Sequence, residues 1–254
     1  MNDHSLSLLS PPFYIPNKDV YPPFKKGLYL EEYFLEYVKN NPSNEGCCCL
    51  DENGRRYIPA FWTNFQIEPH FQNNPYQRME MQQILDDYIQ KHPSEKGYFT
   101  VVQYDDGPVL RLPPDTLVYG ACSGNIPIPL IYQDVENKLI SQPKKTFLEK
   151  NRLCSFVGTV THPVRNTIRE HLGHSPHFHF FFTEGWTPVV NDSKQDLFIT
   201  TTLNSKFALA PRGYGRSSFR FFEIFQLGTI PVYVWDDIEW LPYKDKIDYS
   251  KICI

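Results

Sequence analysis

Apolar residues along this chain recur with helical spacing in some stretches and with strand-like runs in others. At Leu28–Asn40, the residues Leu30, Tyr33, Phe34, Tyr37 and Val38 fall three and four apart, which predicts a helix that buries that face. Pro75 opens a second helix, in which Ile84, Leu85, Tyr88 and Ile89 repeat at the same spacing, and His92-Pro93 closes it. Runs rich in β-branched and aromatic residues predict strands at Tyr98–Gln103 and Thr116–Tyr119, and a short buried strand at Cys47–Leu50. The turn signal Asp105-Asp106-Gly107-Pro108 follows the first of these long strands, and Gly120–Pro129 reads as a loop. Residues 1–27 are rich in proline and aromatics and have no period, as expected of an ordered, wrapping extension.

A polar stretch, 142–152, precedes a second unit. Leu153–Val157 predicts a strand, with Gly158-Thr159 directly after it. Pro163 and Val164 lead into a helix over Arg165–Leu172, stopped by Gly173, and Phe178–Phe182 predicts a buried strand. Residues 206–234 are the sharpest segment. A strand at Lys206–Ala210 meets a loop, Pro211–Arg216; Ser217 or Ser218 caps a helix running through Leu227; Gly228 ends it, and Ile230–Val234 is the next strand. This is a βαβ unit, and the alternation throughout predicts an α/β protein with domains at 1–148 and 149–254.

Composition narrows the class. A chain of 254 residues, 41% hydrophobic and 21% charged, is globular and has room for one large domain or two small ones. No apolar run reaches the roughly 18 residues of a membrane span. The N-terminus has no basic region before its apolar residues, so the chain reads as mature, not secreted and cytoplasmic. A net charge of −4 argues against a general nucleic-acid binder. The six cysteines form no CxxC pair and no disulfide framework, which suits reduced, buried thiols.

Against that acidic balance, Lys206, Arg212, Arg216 and Arg220 stand together with no acid between them. Positive charge on a glycine-containing loop that opens a helix suits a phosphate or diphosphate, because the backbone N–H groups and the helix dipole both favour an anion. Arg216, Arg220 and Glu223 fall at i, i+4 and i+7, which puts the arginines nearest the helix start and a carboxylate further along, where ribose hydroxyls could reach it. Basic groups on phosphates and a carboxylate on a sugar describe a nucleotide-sugar pocket. An Arg–Glu ion pair on a solvated face is the plainer alternative.

Other readings stand beside this one. Gly213-x-Gly215-x-x-Ser218 with Asp236 imitates a dinucleotide fingerprint and so an NAD(P)-dependent oxidoreductase, although the third glycine is a serine. Asp237-x-Glu239 and Asp105-Asp106 could be acidic metal pairs, and His174, His177 and His179 invite a zinc reading, with no cysteine near them. A non-catalytic, carbohydrate-binding relic is a third class.

The string Ser205-Lys-Phe-Ala-Leu-Ala-Pro-Arg-Gly-Tyr-Gly-Arg-Ser-Ser-Phe-Arg-Phe-Phe-Glu223, followed by Gly228-Thr-Ile-Pro-Val232, resembles the exostosin-type glycosyltransferases, glycosyltransferase family 47. Leu241-Pro-Tyr243 and Ile247-Asp-Tyr-Ser250 are similar to that family's "LPF" and "IDWS" segments. Phe156-Val-Gly158 with Arg165 resembles its "F-x-G … R" segment, and Asp105-Asp106-Gly107-Pro108 its "H-D-W-G-P" loop, with Tyr104 in place of the histidine. Phe219 stands where an arginine often precedes the glutamate, and Arg216 where a proline is common.

The resemblance implies a GT-B-like architecture, two Rossmann-like domains facing a cleft, with the acceptor on the first and a UDP-sugar donor on the second. It implies an inverting, metal-independent transfer to a hydroxyl of a glycan or glycoprotein, with no cofactor. Carried over by position, Gly158, Thr159, Arg165, Arg212, Gly213, Arg216, Ser217, Ser218 and Arg220 become donor and loop contacts, and Glu223 the ribose or sugar clamp. Inversion needs a base for the acceptor proton. Asp105 is the first candidate and Asp106 the second, with Glu68 and His70 behind them. A short chain without a leader or membrane anchor suggests a bacterium or a large DNA virus that glycosylates in the cytosol, for which UDP-xylose is the first donor to try.

Overall fold

A computed structural model describes residues 28–40, 50–67, 74–131, 134, 136–183, 185 and 190–254. The expected N-terminal extension, Cys47–Cys49, Glu68 and His70 lie outside these residues. The described chain divides into two compact units, 28–129 and 130–254, a boundary earlier than the 148/149 expected from the polar stretch.

The first unit holds α1 (Leu30–Asn40), β1 (Arg56–Tyr57), α2 (Trp62–Gln66), α3 (Pro75–Lys91), β2 (Tyr98–Val102), β3 (Leu117–Gly120) and β4 (Ile126–Pro127). The strands form one sheet in the order β1-β2-β3-β4, and every pairing is parallel. All five residues of β2 are buried, as befits an interior strand covered on both faces. Ile58, Trp62, Phe65, Met81, Leu85, Val102 and Val118 make the core around it. Asn74 starts α3 by accepting the Tyr76 and Gln77 N–H groups at 3.1 and 3.4 Å, with Pro75 pre-set at the first helical position.

Two expectations change in this unit. α1 does not bury the tyrosines: Tyr33 and Tyr37 are 50% and 57% exposed, while Leu30, Leu35 and Val38 face inward beside two glutamates, Glu31 and Glu32. Glu32 accepts the Tyr29 N–H within its own turn at 2.8 Å, but Glu31 is received by Thr63 from elsewhere in the chain, so helical spacing alone placed Leu30 and Val38 correctly and the tyrosines on the wrong side. The loop expected after β3 contains β4, a two-residue strand too short to leave a pattern. At Cys47–Leu50 only Leu50 is described, and it makes a single antiparallel bridge with Arg56.

The second unit holds β5 (Arg152–Thr159), α4 (Pro163–Leu172), β6 (Phe178–Thr183), α5 (Asp192–Leu203), β7 (Ser205–Pro211), α6 (Phe219–Gln226) and β8 (Ile230–Val234). A short 3-10 turn, Tyr249–Lys251, lies near its end. The sheet order is β6-β5-β7-β8, again wholly parallel. Val157, Phe198, Ile199, Leu203 and Leu227 form one apolar cluster. Cys154, Phe156, Ile168 and Leu209 form another, with Phe178, Phe180 and Phe182 packed against it. β6 is an edge strand, half-buried with Phe181 exposed, so it is not the buried strand expected from five apolar-rich positions.

From β5 the chain crosses to β6 on one side; from β7 it crosses to β8 on the other. The strand order therefore reverses between β5 and β7, the place where parallel α/β sheets open a crevice outside their carboxyl ends. Here the opening is visible in the ladder. β5 pairs with β6 as far as Thr159↔Thr183, and β7 with β8 as far as Pro211↔Val234. The β5–β7 pairing stops at Ser155↔Ala208.

Candidate functional site

The site is built at that split. Gly158 and Thr159 end β5, so the strand runs two residues further than the hydrophobic run indicated. A Cβ on Gly158 would lie 2.8 Å from the Phe156 ring. The glycine makes room for that ring, and the tight neighbour is protein. Arg165, in the first turn of α4, is buried and turns inward. Its Nη1 donates to Thr159 O at 2.7 Å, its Nη2 to Pro211 O at 3.0 Å and its Nε to Arg212 O at 2.9 Å. The guanidinium also lies over the Phe156 ring, 5.4 Å from its centroid. Burial, and then the Arg220 cation, push its pKa down to about 10, so it stays charged at neutral pH.

The loop after β7 is more evenly charged than its own sequence suggests. Arg212 Nη1 donates to Asp236 and to Asp237, both at 2.6 Å, and Arg216 Nε donates to Asp237 at 2.9 Å. Arg216, expected on the helix face with Arg220, precedes the helix; it lies over Trp240, 5.5 Å from the ring centroid. The Arg216 hydrogen bond, with help from Arg212, holds the Asp237 carboxyl well below the usual carboxylate range. Lys206 belongs to the other end of β7, where it lies over Phe147, so it adds nothing to the loop.

α6 begins at Ser218, whose side chain makes no capping hydrogen bond. Its first turn carries Arg220, which donates from Nε to Val157 O at 3.0 Å, pairs with Glu223 one turn on, and lies over Phe198, 3.9 Å from the ring centroid. Glu223 is buried. Gly213 packs close to Arg165: a Cβ there would stand 3.4 Å from Nη2. The structure thus brings Gly158, Thr159, Arg165, Arg212, Gly213, Arg220 and Glu223 to the carboxyl ends of β5 and β7, with Arg216, Ser217 and Ser218 in the loop and cap between β7 and α6.

Three residues at this end escaped the sequence reading in that role. His162 caps α4, accepting the Val164 N–H on Nδ1 at 3.3 Å, and its Nε2 lies 3.6 Å from Asp236. Burial first, then Arg212, push its pKa down. Asp236 and Asp237 had been weighed for a dinucleotide and a metal; they serve as partners of the loop arginines. The signal was available, because β8 must return parallel to β7 and so deliver the residues after Val234 to the same end.

In the first unit, Asp105 and Asp106 are exposed in a turn closed by the Gly107 N–H on Tyr104 O at 3.0 Å. Gln66 pins this loop, donating to Gly107 O at 2.8 Å and accepting the Val109 N–H at 3.0 Å. Nearby in sequence, the buried Gln103 accepts the Leu30 N–H at 3.0 Å. The adjoining Glu31 carboxyl accepts from Thr63 N and Oγ1 at 2.9 and 2.7 Å. Among the described residues no group of three or more His, Cys, Asp or Glu is arranged to hold a metal ion, His174, His177 and His179 included.

Parallel sheets, crossover helices and an arginine-bearing loop at a switch point define a Rossmann-type α/β protein of the kind from which GT-B folds are built. The Exostosin GT47 domain matches residues 121–254, more than half of the sequence, and the chain belongs to that family. Membership supports a glycosyltransferase. No curated protein matches the chain. No helix among the described residues is long and apolar enough to cross a membrane.

Proposed function

We propose that the chain is an inverting glycosyltransferase that binds a UDP-sugar at the β5–β7 split and moves the sugar to a hydroxyl of a glycan or glycoprotein. The observation that carries this is the convergence of Arg212, Arg216 and Arg220 with the start of α6 where the ladder of the second sheet opens between β5 and β7. Arg212, Arg216 and Arg220, with the Ser217 and Ser218 hydroxyls and the Gly213 backbone, would hold the diphosphate and neutralise the leaving nucleotide, so the reaction needs no metal. Thr159 and Gly158 would line the floor. Glu223, now paired with Arg220, would accept from ribose hydroxyls. Asp105, with Asp106 second, would take the acceptor proton.

A thermal-shift panel of nucleotide sugars tests the reading, because a ligand at about 100 times its Kd stabilises by roughly 2.7 kcal/mol. UDP-sugars should raise Tm, UDP-xylose being the first to try, and NAD(P)H should not. Stabilisation by a nicotinamide dinucleotide alone would move the chain to the oxidoreductases. For the base, Asp105→Asn should leave donor binding intact and cut transfer by at least ~100-fold. Near-normal transfer would shift the role to Asp106 or away from this turn.

A further inference from the structure

We propose that Arg165 is a positioning residue that sets the width of the β5–β7 crevice and takes no part in holding the diphosphate. This rests on the donor reading given above. β5 and β7 stop pairing at Ser155↔Ala208, yet each continues for several residues, so their carboxyl ends lack the rungs that hold β5 to β6 and β7 to β8. Arg165 substitutes for those rungs. One guanidinium reaches Thr159 O on β5 and both Pro211 O and Arg212 O on the β7 side, at 2.7 to 3.0 Å. Its planar fork satisfies all three acceptors at once, which an ammonium on a flexible stem cannot do.

The group is also braced. Phe156 lies against it, Gly158 leaves the space that ring occupies, and Gly213 closes on Nη2. Three of its five N–H groups are committed to main-chain carbonyls and are withheld from a phosphate oxygen. Arg220 bonds β5 only at Val157 O, deeper in the split, and stays on the helix that opens at the loop. The two arginines therefore divide the work: Arg165 ties the β5 and β7 ends together, and Arg220, on the helix that opens at the loop, bonds one wall only and is the one left to the donor reading.

The test compares full-length wild type with Arg165→Lys, and uses two readouts. The first needs no ligand. Amide hydrogen exchange at 156–160 and 209–214 should rise at least ~10-fold in the variant, while α3 in the other unit is unchanged. The second is calorimetric binding of UMP and of UDP. A misplaced frame weakens both by a similar factor, at least ~10-fold, and methylguanidinium restores both in Arg165→Ala. Unchanged exchange overturns the proposal, and so does a variant that loses UDP while keeping UMP, since that marks a direct diphosphate ligand. Raised exchange in a chain whose wild type binds no uracil nucleotide upholds the frame and sinks the donor reading instead. Gly213→Ala is the milder probe if Arg165→Lys folds poorly; its added Cβ would press on Nη2 and should raise exchange in the same two segments.

Discussion

Glu31 sits wholly inside the first unit, with Oε1 bonded to Thr63 and Oε2 lacking a hydrogen-bond partner among the described residues. Burial pushes its pKa up from the ordinary 4.5 to about 7, against the pull of the Thr63 hydrogen bonds. The folded state then holds a proton that the unfolded chain releases, so this group's contribution to stability is full below pH 4.5 and is lost as pH rises through about 7. Glu31→Gln keeps the acceptor and removes the titration. Urea denaturation across this range should show wild type losing stability relative to the variant, by roughly 2–4 kcal/mol at most. Parallel curves would mean that Glu31 titrates normally. At the split, Arg220→Ala should weaken UDP binding by about 2–4 kcal/mol, since it removes a charge-assisted partner from a partly buried site. Calorimetry giving wild-type affinity would remove Arg220 from the donor contacts. Residue types at the loop were legible in the sequence; their partners were legible only through the topology, by following β8 back to the same end of the sheet. Counting charge between Lys206 and Arg220 stops before Asp236 and Asp237 and includes a lysine from the wrong end of β7.

Among the elements, those with clear punctuation were read closely. α3 runs from Pro75 to Lys91, and β8 over Ile230–Val234, both where the breakers and apolar spacing put them. The α6 boundaries follow Ser218 and Gly228, the latter at φ +65°, a conformation glycine adopts without strain. α5 left no such trace: Asp192–Leu203 mixes buried threonines with apolar residues and shows no apolar stripe, because its buried face is partly polar. α6 also carries a test of its own. A serine N-cap usually contributes about 1 kcal/mol through its hydroxyl. Ser218 makes no such bond, so Ser218→Ala should change Tm by less than about 2 °C while weakening UDP binding. A large drop in Tm with unaltered UDP affinity would make it an ordinary cap.

At the scale of the molecule, alternation of strand and helix announced the parallel sheets, and each unit carries its loops of interest at the carboxyl ends of its strands. The boundary was harder to place. Residues 142–152 look like a linker by composition, yet Lys150, within them, is buried and donates to Leu203 O and to Thr229 at 3.1 and 2.7 Å. Most of the stretch is polar because it is exposed; Lys150 is the exception, a buried lysine with partners that only the fold supplies. The expected chemistry makes one further demand on the whole enzyme. With arginines and a helix start opposing the leaving diphosphate, transfer should survive excess EDTA with less than about a twofold change. Activity abolished by chelation and restored by Mn²⁺ would contradict it.

The bridge made by Arg165 reaches only main-chain oxygens, and every amino acid carries one. The frame is therefore indifferent to which side chains occupy positions 159, 211 and 212. Substitutions there can retool what the crevice grips, a different sugar or a different base, without loosening the walls. A combinatorial library at Thr159 should change what the crevice grips while its walls stay protected from exchange, whereas the same library at position 165 should loosen the walls whatever residue replaces the arginine.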